Sequence, residues 1–318
     1  MLALLIATMA MWGAPMDELC PESPRRLTHA AENYSPQWSP DGQWIVFEST
    51  LDHALDIHLM RANGSERRQL TDSGYRDVGP FWHPDGTRVA FFSERDDPDG
   101  PGGGWRAFYV DLERDRIERL VKGKKYAVFR PVYSPDGQTV AFDGWSQDHP
   151  WHEIFLYDID RRRSHQRLTA HEGHTAGARF SPDGQSLAYF RMAEDRLSSE
   201  IFIMDLAGGT ERQVTWLGHS SQYPAWAPDG RQLLFESHLD GNWEILKLDL
   251  GSGKVVNLTN HGEKDTNPAW HPKQPWLLFV SERDGLPQLF CQRIGAGTPV
   301  VNEPPPEPEP DSEPGTRS

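Results

Sequence analysis

The 318-residue chain is long enough for one large all-β domain or two ordinary ones, so length alone leaves the domain count open. Its hydrophobic fraction of 37% includes 12 Trp, 14 Phe and 8 Tyr, bulky side chains that supply a core, while 28 Gly and 26 Pro point to many tight turns and against a helical protein. A formal charge of −15 argues against nucleic acid as a partner, because phosphate binding requires a basic surface.

In chain order, residues 1–23 read as a signal peptide and lead-in. Met1 to Ala14 is apolar and uncharged, too short to span a bilayer and of the length of a signal-peptide core. It lacks a Lys or Arg ahead of the apolar run, and Pro15 makes Ala14 a poor cleavage site. The expectation is export, to the periplasm or outside the cell; the alternative is an unprocessed apolar N-terminus.

From there a repeat governs the chain. Pro-Asp-Gly occurs at Pro40–Gly42, Pro84–Gly86, Pro135–Gly137, Pro182–Gly184 and Pro228–Gly230, with a degenerate copy at Pro272, Lys273 and Gln274. The period is 44 to 51 residues. An aromatic stands three residues before each centre (Trp38, Trp82, Tyr133, Phe180, Trp226, Trp270), and another six residues after it (Phe47, Phe91, Phe142, Tyr189, Phe235, Phe279). Pro presets φ, Asp suits the next turn position and Gly takes the left-handed conformation, so each copy predicts a hairpin with aromatics on both strands. A third strand follows in each copy, beginning at Asp56, Ala107, Glu153, Glu200, Glu244 and Gln288. A fourth ends in Leu-Thr or a near equivalent, as at Leu70-Thr71, Leu168-Thr169 and Leu258-Thr259. Four strands per repeat predict an all-β, six-bladed β-propeller over residues 24–293. The sixth copy lacks its fourth strand, and Arg26-Leu27-Thr28 reproduces that motif ahead of the first blade. An N-terminal strand is therefore expected to complete the last blade and close the ring. The two cysteines, Cys20 and Cys291, flank this junction; a disulfide there would lock it, and two unrelated thiols are the alternative. Residues 294–318, rich in Pro and Glu, are expected to form a disordered tail.

The copies around Trp38 (PQWSPDGQWIVFEST) and Trp226 (PAWAPDGRQLLFESHLDGNWEILKLDL, closing in NLT) resemble TolB propeller repeats, and Ser281–Gly285 (SERDG) matches the turn typical of them. The resemblance implies the propeller fold and a protein or peptide partner, since the family's namesake works in the periplasmic Tol-Pal system and binds proteins with its propeller. That protein also carries an N-terminal α/β domain, which is not expected here, where about 23 residues precede the ring. Similar repeats also accompany the catalytic domains of prolyl-oligopeptidase and tricorn-type peptidases, and no such domain is expected in this chain.

Catalytic motifs are weak. Gly218-His219-Ser220-Ser221-Gln222 has Gln where a nucleophile elbow has Gly, and it precedes a strand. His171-Glu172-Gly173-His174 is one residue short of zincin spacing, and the loop from Asp96 to Gly104 lacks calcium-loop spacing. The axial channel is the better place for a site. Residues just before each first strand are expected at its mouth, including Asn33, Tyr34, Arg76, Asp77, Tyr126, Arg130, His174, Gln222, Tyr223, Asp265 and Asn267. They suit a peptide, a small ligand or a cation; alternatively they hydrate a water-filled channel. No cofactor is expected, unless His174, Asp77 and Asp265 hold a divalent cation such as calcium. The leading expectation is an exported, monomeric, non-catalytic propeller that binds a protein or peptide, with no transmembrane span. The alternative is a metal-dependent hydrolase or lyase acting on glycans or peptides through the channel.

Overall fold

The computed structural model describes residues 19–51, 54–95, 104–123, 126–146, 149–161, 165–171, 173–193 and 198–304. The apolar stretch from Met1 to Ala14 and the acidic end beyond residue 304 lie outside them, as does Glu172.

The chain begins with β1 (Arg25–Arg26). The first blade follows as β2 (Asn33–Trp38), β3 (Trp44–Ser49), β4 (Asp56–Arg61) and β5 (Arg68–Gln69). The second is β6 (Asp77–Trp82), β7 (Arg88–Ser93), β8 (Arg106–Asp111) and β9 (Arg116–Arg119), and the third is β10 (Ala127–Tyr133), β11 (Thr139–Ser146), β12 (His149–Asp158) and β13 (His165–Arg167). The fourth is β14 (Thr175–Phe180), β15 (Ser186–Met192), β16 (Ser199–Asp205) and β17 (Glu211–Gln213). The fifth is β18 (Ser221–Trp226), β19 (Gln232–Leu239), β20 (Asn242–Asp249) and β21 (Val255–Asn257). The sixth comprises β22 (Asp265–Trp270), β23 (Trp276–Ser281) and β24 (Gln288–Arg293), and β1 is its outermost strand, with Arg25 opposite Cys291 and Arg26 opposite Phe290. The ring of six antiparallel blades is thus closed by the N-terminal strand, as the displaced Leu-Thr motif predicts.

The turn chemistry behaves as the motif requires. Gly42, Gly86, Gly137, Gly184 and Gly230 all have φ between 70° and 79°, where a Cβ is strained. Each preceding Asp carboxylate accepts the N–H two residues on, as Asp41 does from Gln43 and Asp136 from Gln138. In the degenerate sixth hairpin His271 takes over, its Nδ1 accepting from the N–H groups of Lys273 and Gln274.

The aromatics six residues after each turn are fully buried in all six blades. They stand on central strands covered on both faces, so the core is divided into six clusters, one between each pair of neighbouring blades. The Leu-Thr motif also has a physical cause. The Thr hydroxyl accepts the N–H near the start of its blade's third strand: Thr71 from Ile57, Thr169 from Ile154, Thr215 from Ile201 and Thr259 from Ile245. Thr28 does the same for Leu289, which makes the N-terminal strand a true replacement for the missing fourth strand. Cys20 and Cys291, both fully buried, form a disulfide with Cα atoms 5.3 Å apart.

The segment after Arg293 departs from the expected disordered tail. Thr298–Val300 forms β25, antiparallel to β21, and makes the fifth blade five-stranded. The cause is the open edge of β21, which offers unpaired backbone groups to any extended segment within reach. Asn302 fastens the segment further, accepting from the Trp216 N–H at 2.7 Å and donating to the Gly253 carbonyl at 3.1 Å.

Candidate binding channel

In a propeller the two faces of each blade pack on its neighbours, and the inner edge of the first strand borders the axis. Every inner strand here carries a β-bulge, at Tyr34/Gln37, Val78/Phe81, Phe129/Val132, Ala176/Arg179, Gln222/Ala225 and Thr266/Ala269. Each bulge contains one residue with positive φ: Ser35, Gly79, Arg130, Gly177, Tyr223 and Asn267. Five of these line a cavity of about 120 Å³ on the axis, together with Glu48, Arg179 and the strand prolines.

One position of the second strand, alternately acidic and apolar around the ring, secures the bulges of the even blades. On the second strand, seven residues after each turn centre, stand Glu48, Phe92, Asp143, Phe190, Glu236 and Val280. In the odd blades the carboxylate accepts the bulge N–H of the next blade: Gly79 donates to Glu48 at 2.7 Å, Gly177 to Asp143 at 3.3 Å and Asn267 to Glu236 at 2.7 Å. In the second and fourth blades the Phe at this position covers the same bulge glycine from within its own blade. A Cβ on Gly79 would stand 2.3 Å from the Phe92 ring, and one on Gly177 would stand 2.9 Å from Phe190. Only glycine fits both the left-handed backbone and the ring above it.

The three acids differ electrostatically. Burial alone would raise Asp143, but Arg130, with Nε 3.1 Å from Oδ1, and His152, with Nδ1 3.3 Å from Oδ2, hold its carboxyl below the usual range. Burial raises Glu48 against the hydrogen bonds from Ser35 and Gly79. Burial pushes Glu236 up to about 8, with the Asn267 N–H as its opposing hydrogen bond. A carboxyl raised in the folded state binds more protons there than in the unfolded chain. Stability is therefore greatest below the unfolded value near 4.5 and falls as the pH rises towards 8. Glu236→Gln should flatten this decline, by about 1.4 kcal/mol for each unit separating the folded and unfolded values. Thermal melts of both proteins from pH 4 to 9 check this, and parallel profiles would refute it.

Of the residues expected at the mouth, Arg130, Tyr223 and Asn267 come together on the axis, with the Arg130 guanidinium 5.8 Å from the Tyr223 ring. Three others do not belong there. Asn33, Asp77 and Asp265 are fully buried, because the first residue of the strand points to a blade face and not to the axis. The Asn33 amide donates to the Ala30 carbonyl and Gln288, Asp77 pairs with Arg95, and Asp265 accepts from Arg283 at 2.9 and 3.1 Å. With Asp77 and Asp265 so committed, the cation site drawn with His174 is not assembled. Among the described residues, no group of three His, Cys, Asp or Glu is placed to hold a metal.

The remaining residues of that set make contacts of their own. The Tyr34 hydroxyl donates to Glu32 at 2.9 Å, and burial with that carboxylate pushes it up to about 12. The Gln222 amide donates to the Ser199 hydroxyl, Arg76 lies over the Trp105 ring, and Tyr126 packs on Phe155. His174 accepts the His152 N–H through Nδ1 at 3.2 Å and meets the Trp151 ring edge-on.

Arg179 is the functional candidate absent from that expected set. Four residues before the turn centres the chain carries Gln37, Phe81, Val132, Arg179, Ala225 and Ala269, so this arginine is the one charge in its row. Burial and the nearby charge of Arg130 push its guanidinium down to about 10, which leaves it cationic at neutral pH.

The family model described as the TolB beta propeller domain matches residues 26–101 and 179–301, more than half of the chain. An uncharacterised protein of Agrobacterium fabrum is 35% identical over 122 residues, covering 37% of this chain and 42% of that protein. An uncharacterised peptidase of Bacillus subtilis, YuxL, is 40% identical over 55 residues, covering 17% of this chain and 8% of its own. The chain thus spans less than half the length of either relative. Among solved structures, TolB from Acinetobacter baumannii superposes with a TM-score of 0.67 at 22% identity, covering 79% of this chain and 60% of that one. An oligogalacturonate lyase from Vibrio parahaemolyticus gives a TM-score of 0.57 at 16% identity, covering 86% of this chain and 94% of its own. Likeness at these identities speaks to the fold.

Proposed function

Because the chain belongs to the TolB β-propeller family, we propose that it is a non-catalytic binding module of the cell envelope that takes a protein or peptide at its axial channel. The observation that carries this reading is the channel itself. Six bulged strands hold Ser35, Arg130, Tyr223 and Asn267 at fixed positions around the axis, where convergent polar and aromatic groups on a rigid frame suit recognition. The buried Cys20–Cys291 disulfide supports export, since such bonds persist in oxidising compartments. No helix among the described residues is long and apolar enough to cross a membrane. Affinity capture from envelope extract with the wild type and with Tyr223→Ala tests the reading. A discrete partner retained by the first and lost with the second is expected; equal retention by both would count against the channel.

A metal-dependent lyase is the second reading, favoured by the near-complete overlap with oligogalacturonate lyases, one of them in complex with manganese. Incubation with oligogalacturonate and manganese separates the two readings. The binding reading predicts no unsaturated product, and steady turnover would replace it.

A further inference from the structure

The two mouths of the channel differ in kind. Inner strands start at one face, and the Pro-Asp-Gly hairpins stand at the other, where a basin of about 470 Å³ opens onto the axis. Its wall is a ring of aromatics, Trp38, Trp82, Tyr133, Phe180, Trp226 and Trp270, interleaved with the hairpin prolines. In a chain of net charge −15, the described residues lining this basin include no carboxylate and one charged group, Arg179. Arg179 also lines the narrower axial cavity, so it stands where the basin meets the waist.

Arg179 is half-buried as a residue, and its guanidinium is underused. It donates to the Ala178 carbonyl at 2.9 Å and lies 5.3 Å from the Phe81 ring. Its neighbour Arg130 takes the Asp143 carboxylate, and among the described residues no acid pairs with Arg179. A desolvated cation with free donors favours a planar anion that it can grip through two hydrogen bonds. The surrounding rings and prolines favour apolar side chains, and the funnel narrows towards the axis, which admits a chain end more readily than a doubled-back loop.

Resting on the binding reading above, we infer that the hairpin-face basin receives the C-terminal end of a partner polypeptide, its terminal carboxylate on Arg179 and its last apolar side chains against the aromatic ring. The hairpin face is then the recognition face.

Randomised tetrapeptides tethered through their N-termini, prepared as free acids and as amides, are the probe, with binding to wild type, Arg179→Gln and Arg179→Lys read by interferometry. Wild type should retain a subset of free acids and bind their amides about tenfold more weakly or worse. Arg179→Gln should lose the same factor, and Arg179→Lys should fall between. Acids and amides held equally by wild type would overturn the carboxylate contact while leaving peptide binding in place, and this comparison does not depend on any variant folding. Retention of trigalacturonate with no peptide retained would overturn both the inference and the reading beneath it, as would no retention of any probe.

Discussion

Asp143→Ala should destabilise the propeller by about 3–5 kcal/mol, the cost of leaving a buried charge without its partner. Asp143 is fully buried and accepts from Arg130 of its own blade and from the Gly177 N–H of the next, so one carboxylate neutralises a channel cation and secures a bulge. The loss should shrink markedly when Arg130→Ala is added, because the stranded charge leaves with it. Since the folded carboxyl lies below its ordinary value, this stabilisation is present above the unfolded value and is lost as the pH falls through the folded one. Urea titrations of the two single variants and the double variant measure the effect. Additive losses would show that the pair is not coupled.

Opening the disulfide should have a comparable effect. Cys20 and Cys291 are 271 residues apart, and in the chain-entropy model a loop of that length contributes about 5 kcal/mol, an upper figure. Without the bond, β1 keeps a two-residue ladder with β24, the Leu27 N–H bond to Leu289 and the Thr28 hydroxyl. The Cys20→Ala/Cys291→Ala protein should therefore melt well below the wild type and exchange the amide hydrogens of Arg25 to Leu27 early, ahead of the other blades. The wild type should acquire the same profile in reductant. An unchanged midpoint would show that the sixth blade closes without covalent help.

Much of this architecture was legible because propeller blades repeat the same chemistry at a fixed offset. Pro-Asp-Gly specifies a hairpin through the conformations it permits, and the displaced Leu27-Thr28 identifies the closing strand through a hydroxyl that must cap the neighbouring strand. Strand β25 carries no such signal, since Thr298–Val300 joins by edge pairing that any extended segment can make. The site was harder to read for a related reason. A bulge turns one residue towards the axis, yet Ser35, Arg130, Tyr223 and Asn267 are ordinary residues in a left-handed conformation that their identities do not announce. Asn33, Asp77 and Asp265 mislead because polarity near a strand start reads as exposure, whereas here it serves buried pairing, with Gln288 of the neighbouring blade for Asn33 and with an arginine of the same blade for the two acids. Arg179 could have been found by setting the six copies beside one another, as the lone charge in an otherwise neutral row.

The claim that a partner engages the axial channel is met most directly by site-specific photo-cross-linking in cells. A cross-linking amino acid at Asn267 on the axis should yield a discrete adduct, and the same group at Ile117, exposed on the outer strand of the second blade, should yield none. Adducts of equal yield at both positions, or at Ile117 alone, would contradict a channel-centred binding function.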